Sequence, residues 1–159
     1  MQKYVYLVLI LLVFFVPRTY SEGVHELSEE TRALLKAEMN EIAAGMHELF
    51  DAYYSGNLEK VSKIAKNIEQ SYILKQKLTV EQKKELQSTL PAGFKKIDQQ
   101  FHYNAGMLSH AADRQKVELV GFYYSEVSKG CLSCHSNYAQ ERFGHIKPND
   151  GVPGGHHHH

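Results

Sequence analysis

Six residues toward the C-terminal end of the chain, Val117, Val120, Tyr124, Val127, Cys131 and Cys134, recur at spacings that alternate between three and four. That rhythm puts all six on one stripe of an α-helix, and such a regular stripe belongs to a helix packed against other helices. Its last two members are cysteines, and His135 follows them in the run Cys131-Leu132-Ser133-Cys134-His135. Two thiols three residues apart on a helix sit about one turn apart on the same face. That spacing suits two thioethers to the vinyl groups of one haem, with the adjacent imidazole held under the iron. The run reads as c-type haem attachment, with His135 as axial ligand.

Three other chemistries use paired cysteines. A redox Cys-x-x-Cys of the thioredoxin kind is expected beside a βαβ pattern, and no strand-like alternation precedes this one. A structural zinc site needs four ligands, and with two cysteines in the chain histidines or carboxylates from elsewhere would have to complete it. A disulfide between Cys131 and Cys134 is geometrically poor on a regular helix.

The rest of the body also has helical periodicity. Leu35, Met39, Ile42, Met46, Leu49 and Tyr53 form an apolar stripe on a first helix. Ser28 is its expected N-cap, Glu29 and Glu30 suit the positive end of its dipole, and Gly56-Asn57 is its expected stop. Val61, Ile64, Ala65, Ile68 and Tyr72 line a second helix, antiparallel to the first because the gap between them is short. Residues 75–78 read as a connection, and Thr79 with Gln82 as a capping box opening a short segment to Ser88. Leu90-Pro91 marks a break. A third helix follows with Phe94, Ile97, Phe101, Leu108 and Ala112 inward, and 113–116 holds the turn into the fourth. The expected fold is all-α: an antiparallel four-helix bundle with the haem on its last helix, the cysteines continuing the buried stripe.

The ends read as processing segments. Lys3 precedes an uninterrupted apolar run at 4–16, too short for a bilayer span but suited to an export signal. Thr19 and Ser21 occupy plausible cleavage positions, which gives a signal peptide at 1–21, a cytochrome domain at 22–150, and a periplasmic, exported protein. Gly154-Gly155 and His156 to His159 resemble a purification-tag remnant in an irregular tail at 151–159. Lysine plus arginine equals aspartate plus glutamate, 18 against 18. Loss of the leader removes Lys3 and Arg18 and no acid. A basic surplus of the kind nucleic-acid binding requires is therefore absent.

Four helices with one Cys-x-x-Cys-His near the end of the last resemble the class II cytochromes c, the family of the cytochromes c′ and their low-spin, methionine-ligated relatives. The resemblance covers residues 26–143 and is most specific over 101–138. There Leu108, Ala111, Ala112, Val127, Cys131, Cys134, His135 and Tyr138 follow the family pattern. On helix one, Arg32 followed by Met39 looks like the family's arginine and downstream distal-side residue. The resemblance implies one covalent haem c, His135 as proximal ligand, and a distal side built by helix one. One departure stands out: Ala139 occupies the position where cytochromes c′ often carry a basic residue, and Arg142 lies three residues further on.

Met39 is a sixth iron ligand or a core filler, since a thioether does either. Met46 reads as core. Arg32 pairs with a haem propionate or is an ordinary surface charge. His47, His102 and His110 flank inward positions and read as exposed or partly buried. Tyr53-Tyr54 and Tyr123-Tyr124 read as amphipathic packing; exposed aromatics on helices one and two would favour a dimer with a second copy or a related cytochrome. The expected function is a periplasmic electron carrier that meets redox partner proteins and is not an enzyme. Its alternatives are a five-coordinate protein binding nitric oxide or carbon monoxide, and a haem subunit of a larger redox complex.

Overall fold

The computed structural model describes residues 23–146, so the export signal at 1–21 and the tail at 151–159 lie outside the described residues. Within them the chain is all-helical, with six helices and no strand. These are α1 (Glu29–Tyr54), α2 (Leu58–Gln70), α3 (Leu74–Lys77), α4 (Val80–Thr89), α5 (Ala92–Asp113) and α6 (Val117–Tyr138). Helix boundaries follow local chemistry. The Ser28 hydroxyl accepts from the Thr31 amide at 3.3 Å, and Asn57 caps α2 through the Lys60 amide at 3.0 Å. Thr79 and Gln82 form the complete capping box of α4. Gly56 turns the chain between α1 and α2 at φ +71°, a conformation glycine adopts without steric cost. The turn into α6 uses Gln115 at φ +54° in the same region, without a glycine.

Cross-helix contacts set the directions. Along α1 and α2, Glu48 pairs with Lys60 near the turn and Glu38 reaches Ser71 at the far end. Between α2 and α5, Ser62 meets Ser109 at 3.0 Å and the Ile68 carbonyl meets His102 Nδ1 at 2.7 Å. On α5 and α6, Phe101 lies over Gly130 and Phe94 over Tyr138. In each pair one number rises as the other falls, so consecutive long helices run antiparallel. Ala65, Ala105, Ala111 and Ala112 are all buried, which lets α5 approach both neighbours closely. A Cβ at Gly130 would stand 3.1 Å from the Phe101 ring, so this seam is tight as well.

α1 and α6 are packed less closely than these neighbours. They meet through aromatic side chains, with the Tyr53 ring stacked on Tyr124 at 4.8 Å and an interplanar angle of 7°. The main core runs from Ile42, Leu49 and Ala52 through Val61, Ile64 and Ile68 to Leu108, Val120 and Val127. A smaller cluster of Leu27, Leu35 and Leu90, with Leu86 and Phe94 against it, closes the other end.

Three inward positions expected from periodicity are corrected. Val117 is 63% exposed, at the first position of α6. Tyr72 is not on α2, which ends at Gln70; Ser71 turns out at φ +60°, and Tyr72 reaches over Gly45 from the loop. Met39 is 38% exposed, and Glu38 beside it is the buried residue, at 1%. The buried face of α1 is Thr31, Leu35, Glu38, Ile42, Gly45, Leu49 and Ala52. It keeps Leu35, Ile42 and Leu49 of the methionine stripe and takes Glu38, Gly45 and Ala52 in place of Met39, Met46 and Tyr53, a rotation of about half a residue's step.

Glu38 explains the rotation. Its carboxylate accepts from Ser71 Oγ at 2.8 Å and from the amides of Tyr72, Ile73 and Leu74 at 3.0, 2.5 and 3.1 Å. These donors close the end of α2 and open α3, and none has a helical carbonyl to bond. A buried carboxylate is tolerable only with such full satisfaction. Glu38→Ala strips all four donors of their acceptor and should destabilise the fold by about 3 kcal/mol or more. Glu38→Gln, which keeps part of the pattern, should fall between wild type and alanine in urea unfolding.

Candidate functional site

Cys131 and Cys134 stand one turn apart on α6, both half-buried and both free thiols. Cys131 packs against the main core. Burial pushes its thiol pKa up. Burial also pushes Cys134 up to about 12, with the charges of Asp98 on α5 and of Cys131 adding to the shift. Tyr138, one turn on, is raised in pKa by burial and then by Cys134. Its ring packs on Phe94 at 5.2 Å. Both sulfurs are therefore protonated at neutral pH.

His135 is partly buried near the end of α6, and its carbonyl accepts the Ala139 amide that closes the helix. Its imidazole stacks on Phe143 at 4.0 Å and 7°, and Arg142 lies 5.6 Å from the Phe143 centroid. Burial lowers its pKa, and the positive charge of Arg142 lowers it further. The ring is neutral at pH 7, which is the form that ligates a metal.

These protonation states sort the chemistries open to a Cys-x-x-Cys-His run. Redox-active pairs depend on a depressed thiol pKa, and here both are raised. Tetrahedral zinc needs ligands converging on one point, and among the described residues no three His, Cys, Asp or Glu side chains do so. Two thiols on one helical face with a neutral imidazole beside them fit attachment to a wide planar group. A haem would be held by Cys131, Cys134 and His135, and would contribute a one-electron iron couple.

The other residues expected from the sequence to face the haem, Arg32 and Met39, lie on α1. Arg32, Met39, Met46 and Tyr53 are each seven apart, as are Tyr124, Cys131 and Tyr138 on α6. Seven residues rise about 10 Å along a helix. Counting from the Tyr53–Tyr124 stack along antiparallel helices, Met46 stands level with Cys131 and Met39 level with Tyr138. Met46 packs on the main core, whereas Met39 sits on the exposed edge of the seam. Arg32 is exposed, and its guanidinium donates to the His25 carbonyl at 3.4 Å rather than to a carboxylate. His47, His110 and His145 are exposed, and His102 is tied to the Ile68 carbonyl, with Asp98 3.6 Å away.

Phe143 and Asp98 were not singled out by sequence reasoning. Phe143 belongs to a segment that carries no periodicity. Asp98 sits four residues before His102, a spacing that does signal a shared helix face. In comparisons with protein-family models, curated proteins and solved structures, no match to this chain was found.

Raised thiol pKa values carry a sign. The unfolded chain ionises its thiols near pH 8.5, whereas Cys134 in the folded protein does so near 12. This contribution to stability is complete below the unfolded value and is lost as pH rises toward the folded one. The haem-free protein should show a falling unfolding midpoint across that window, and Cys134→Ser should flatten the fall. Alkylation of the folded thiols at about pH 8 should be slower than in the urea-unfolded chain.

Proposed function

We propose that this chain is a periplasmic monohaem c-type cytochrome that carries single electrons. In this reading it is an antiparallel four-helix bundle of the class II cytochrome c kind, formed by α1, α2, α5 and α6. Cys131 and Cys134 would hold one haem through thioethers to its vinyl groups, and His135 would ligate its iron. The observation that carries the reading is the pair of free, half-buried thiols one turn apart on one helix face with an imidazole next to them in sequence, on the helix bordering the loosely closed α1–α6 seam. The haem supplies the ferric/ferrous couple. The chain's part is to hold the imidazole, to exclude water with the Phe94–Tyr138 pair and the adjoining core, and to present α1 across the seam.

On α1 the methionine edge supplies the distal side. Met39 is the proposed sixth ligand, and Arg32, one heptad before it, the proposed propionate partner. A second reading draws on one observation, the 38% exposure of Met39 and its place outside both apolar clusters. A side chain not held in the core leaves the distal side open, and a five-coordinate haem binding nitric oxide or carbon monoxide follows.

Expression in a host that matures c-type haem tests the first claim. The protein should gain the mass of one haem and keep a haem stain on denaturing gels, and Cys131→Ala with Cys134→Ala should abolish the stain. Retention of stain in the double variant rejects covalent attachment at these residues. His135→Ala should lose the native axial bond or fail to mature. Carbon monoxide separates the two distal readings. A low-spin ferrous spectrum that ignores the gas supports the carrier, with Met39→Ala opening the site and lowering the potential. Ready binding by wild type promotes the gas-binding reading instead.

A further inference from the structure

We propose that Phe143 is a positioning residue for the His135 imidazole, an aromatic plate that sets the plane of the ring where a hydrogen bond ordinarily does. The proposal rests on the haem reading above for its consequence, but not for its geometry. A ligating histidine usually donates its second ring N–H to a carboxylate, carbonyl or water, and that bond fixes both tautomer and orientation. Among the described residues His135 has no side-chain hydrogen-bond partner, although the imidazoles of His25, next to Glu141, and His102, on the Ile68 carbonyl, do have polar partners. What His135 has is a near-parallel ring at 4.0 Å, with an interplanar angle of 7°. Rotation of the imidazole about its Cβ–Cγ bond would drive its edge into that ring.

The plate is itself held. After α6 the chain folds back through a tight turn, in which the Arg142 and Phe143 amides both donate to the Ala139 carbonyl at 3.0 Å. The Ile146 amide then donates to the Phe143 carbonyl at 2.9 Å. Gln140 adds a side-chain bond to the Ser136 carbonyl at 2.7 Å. The Arg142 guanidinium lies over the Phe143 ring, 5.6 Å from its centroid, an attractive placement for a cation near an aromatic face.

Two consequences follow for a metal-bound imidazole. Its plane is fixed without an acceptor on the second nitrogen, so the ring gains no imidazolate character and remains a modest electron donor. Among the levers that set the potential of a bound iron, a hydrogen bond from the imidazole's second nitrogen is then replaced by stacking. Ala139 supplies no charge at its position, and Arg142 lies over the Phe143 ring instead.

The test compares wild type with Phe143→Leu, which keeps apolar bulk and loses the plate, and Phe143→Tyr, which keeps the plate. In the haem-free protein, NMR of the His135 ring protons should show an upfield displacement from the Phe143 ring current. Phe143→Leu should abolish the displacement and Phe143→Tyr should preserve it. In the haem-loaded protein all three should keep the haem stain, and the leucine variant alone should broaden the low-temperature ferric EPR signal and shift the reduction potential, because the imidazole then samples several planes. Unchanged ring-proton shifts in Phe143→Leu overturn the proposal, as do an unchanged EPR signal and potential in a stained protein. A wild type without haem stain defeats the haem reading, and the ring-proton comparison still decides the stack.

Discussion

The carboxylate of Glu38 is the contact on which the geometry of the molecule turns. Four donors converge on it, one hydroxyl and three consecutive amides, at the point where α2 ends and α3 begins. A carboxyl group with 1% exposure needs hydrogen-bond partners, and the face that α1 turns inward places it on these four. Once Glu38 points at the 71–74 loop, Leu35 and Ile42 face the core. Residues one position further round, Met39 and Met46, fall on the edge toward α6. The chemistry available at the seam is thus set by a polar contact on another side of the same helix.

The seam exists because close packing is spent elsewhere. Alanines at 65, 105, 111 and 112 draw α2, α5 and α6 together, and Gly130 admits the Phe101 ring between α5 and α6. α1 brings no such small-residue face to α6. It meets that helix through the large, flat Tyr53 and Tyr124 side chains, which stack between the two helices. In the proposed reading that separation is what accommodates a porphyrin, and Cys131 lies one heptad along α6 from the spacer.

Burial then determines the state of Cys131, Cys134 and His135, the residues proposed to hold the haem. Desolvation disfavours the charged form of every group, so the same half-buried surface keeps two thiols protonated and one imidazole neutral. The segment at 139–146 adds the one feature that burial cannot supply, a fixed orientation for the ring.

Legibility of the fold in the sequence divides by the range of the interaction. The Ser28 cap, the Thr79–Gln82 box, the Gly56 turn and the break at Pro91 are interactions within a few residues, and each stands where the sequence places it. The all-helical class and the shared face of Cys131 and Cys134 follow from periodicity alone. Which face of α1 turns inward does not. Its sequence carries two stripes of equal spacing, one through Met39 and Met46 and one through Glu38 and Gly45, and hydrophobicity favours the first. Only the donors of the 71–74 loop, more than thirty residues away, decide for the second. The stacking of Phe143 on His135 is of the same kind, since a turn without periodicity offers no pattern to read until the chain has folded back onto its own helix. The sequence by itself determined the helices, their ends and the run that carries the thiols and the imidazole. Tertiary structure decided the rotation of α1 and the setting of the imidazole, because both depend on partners that local chemistry cannot identify.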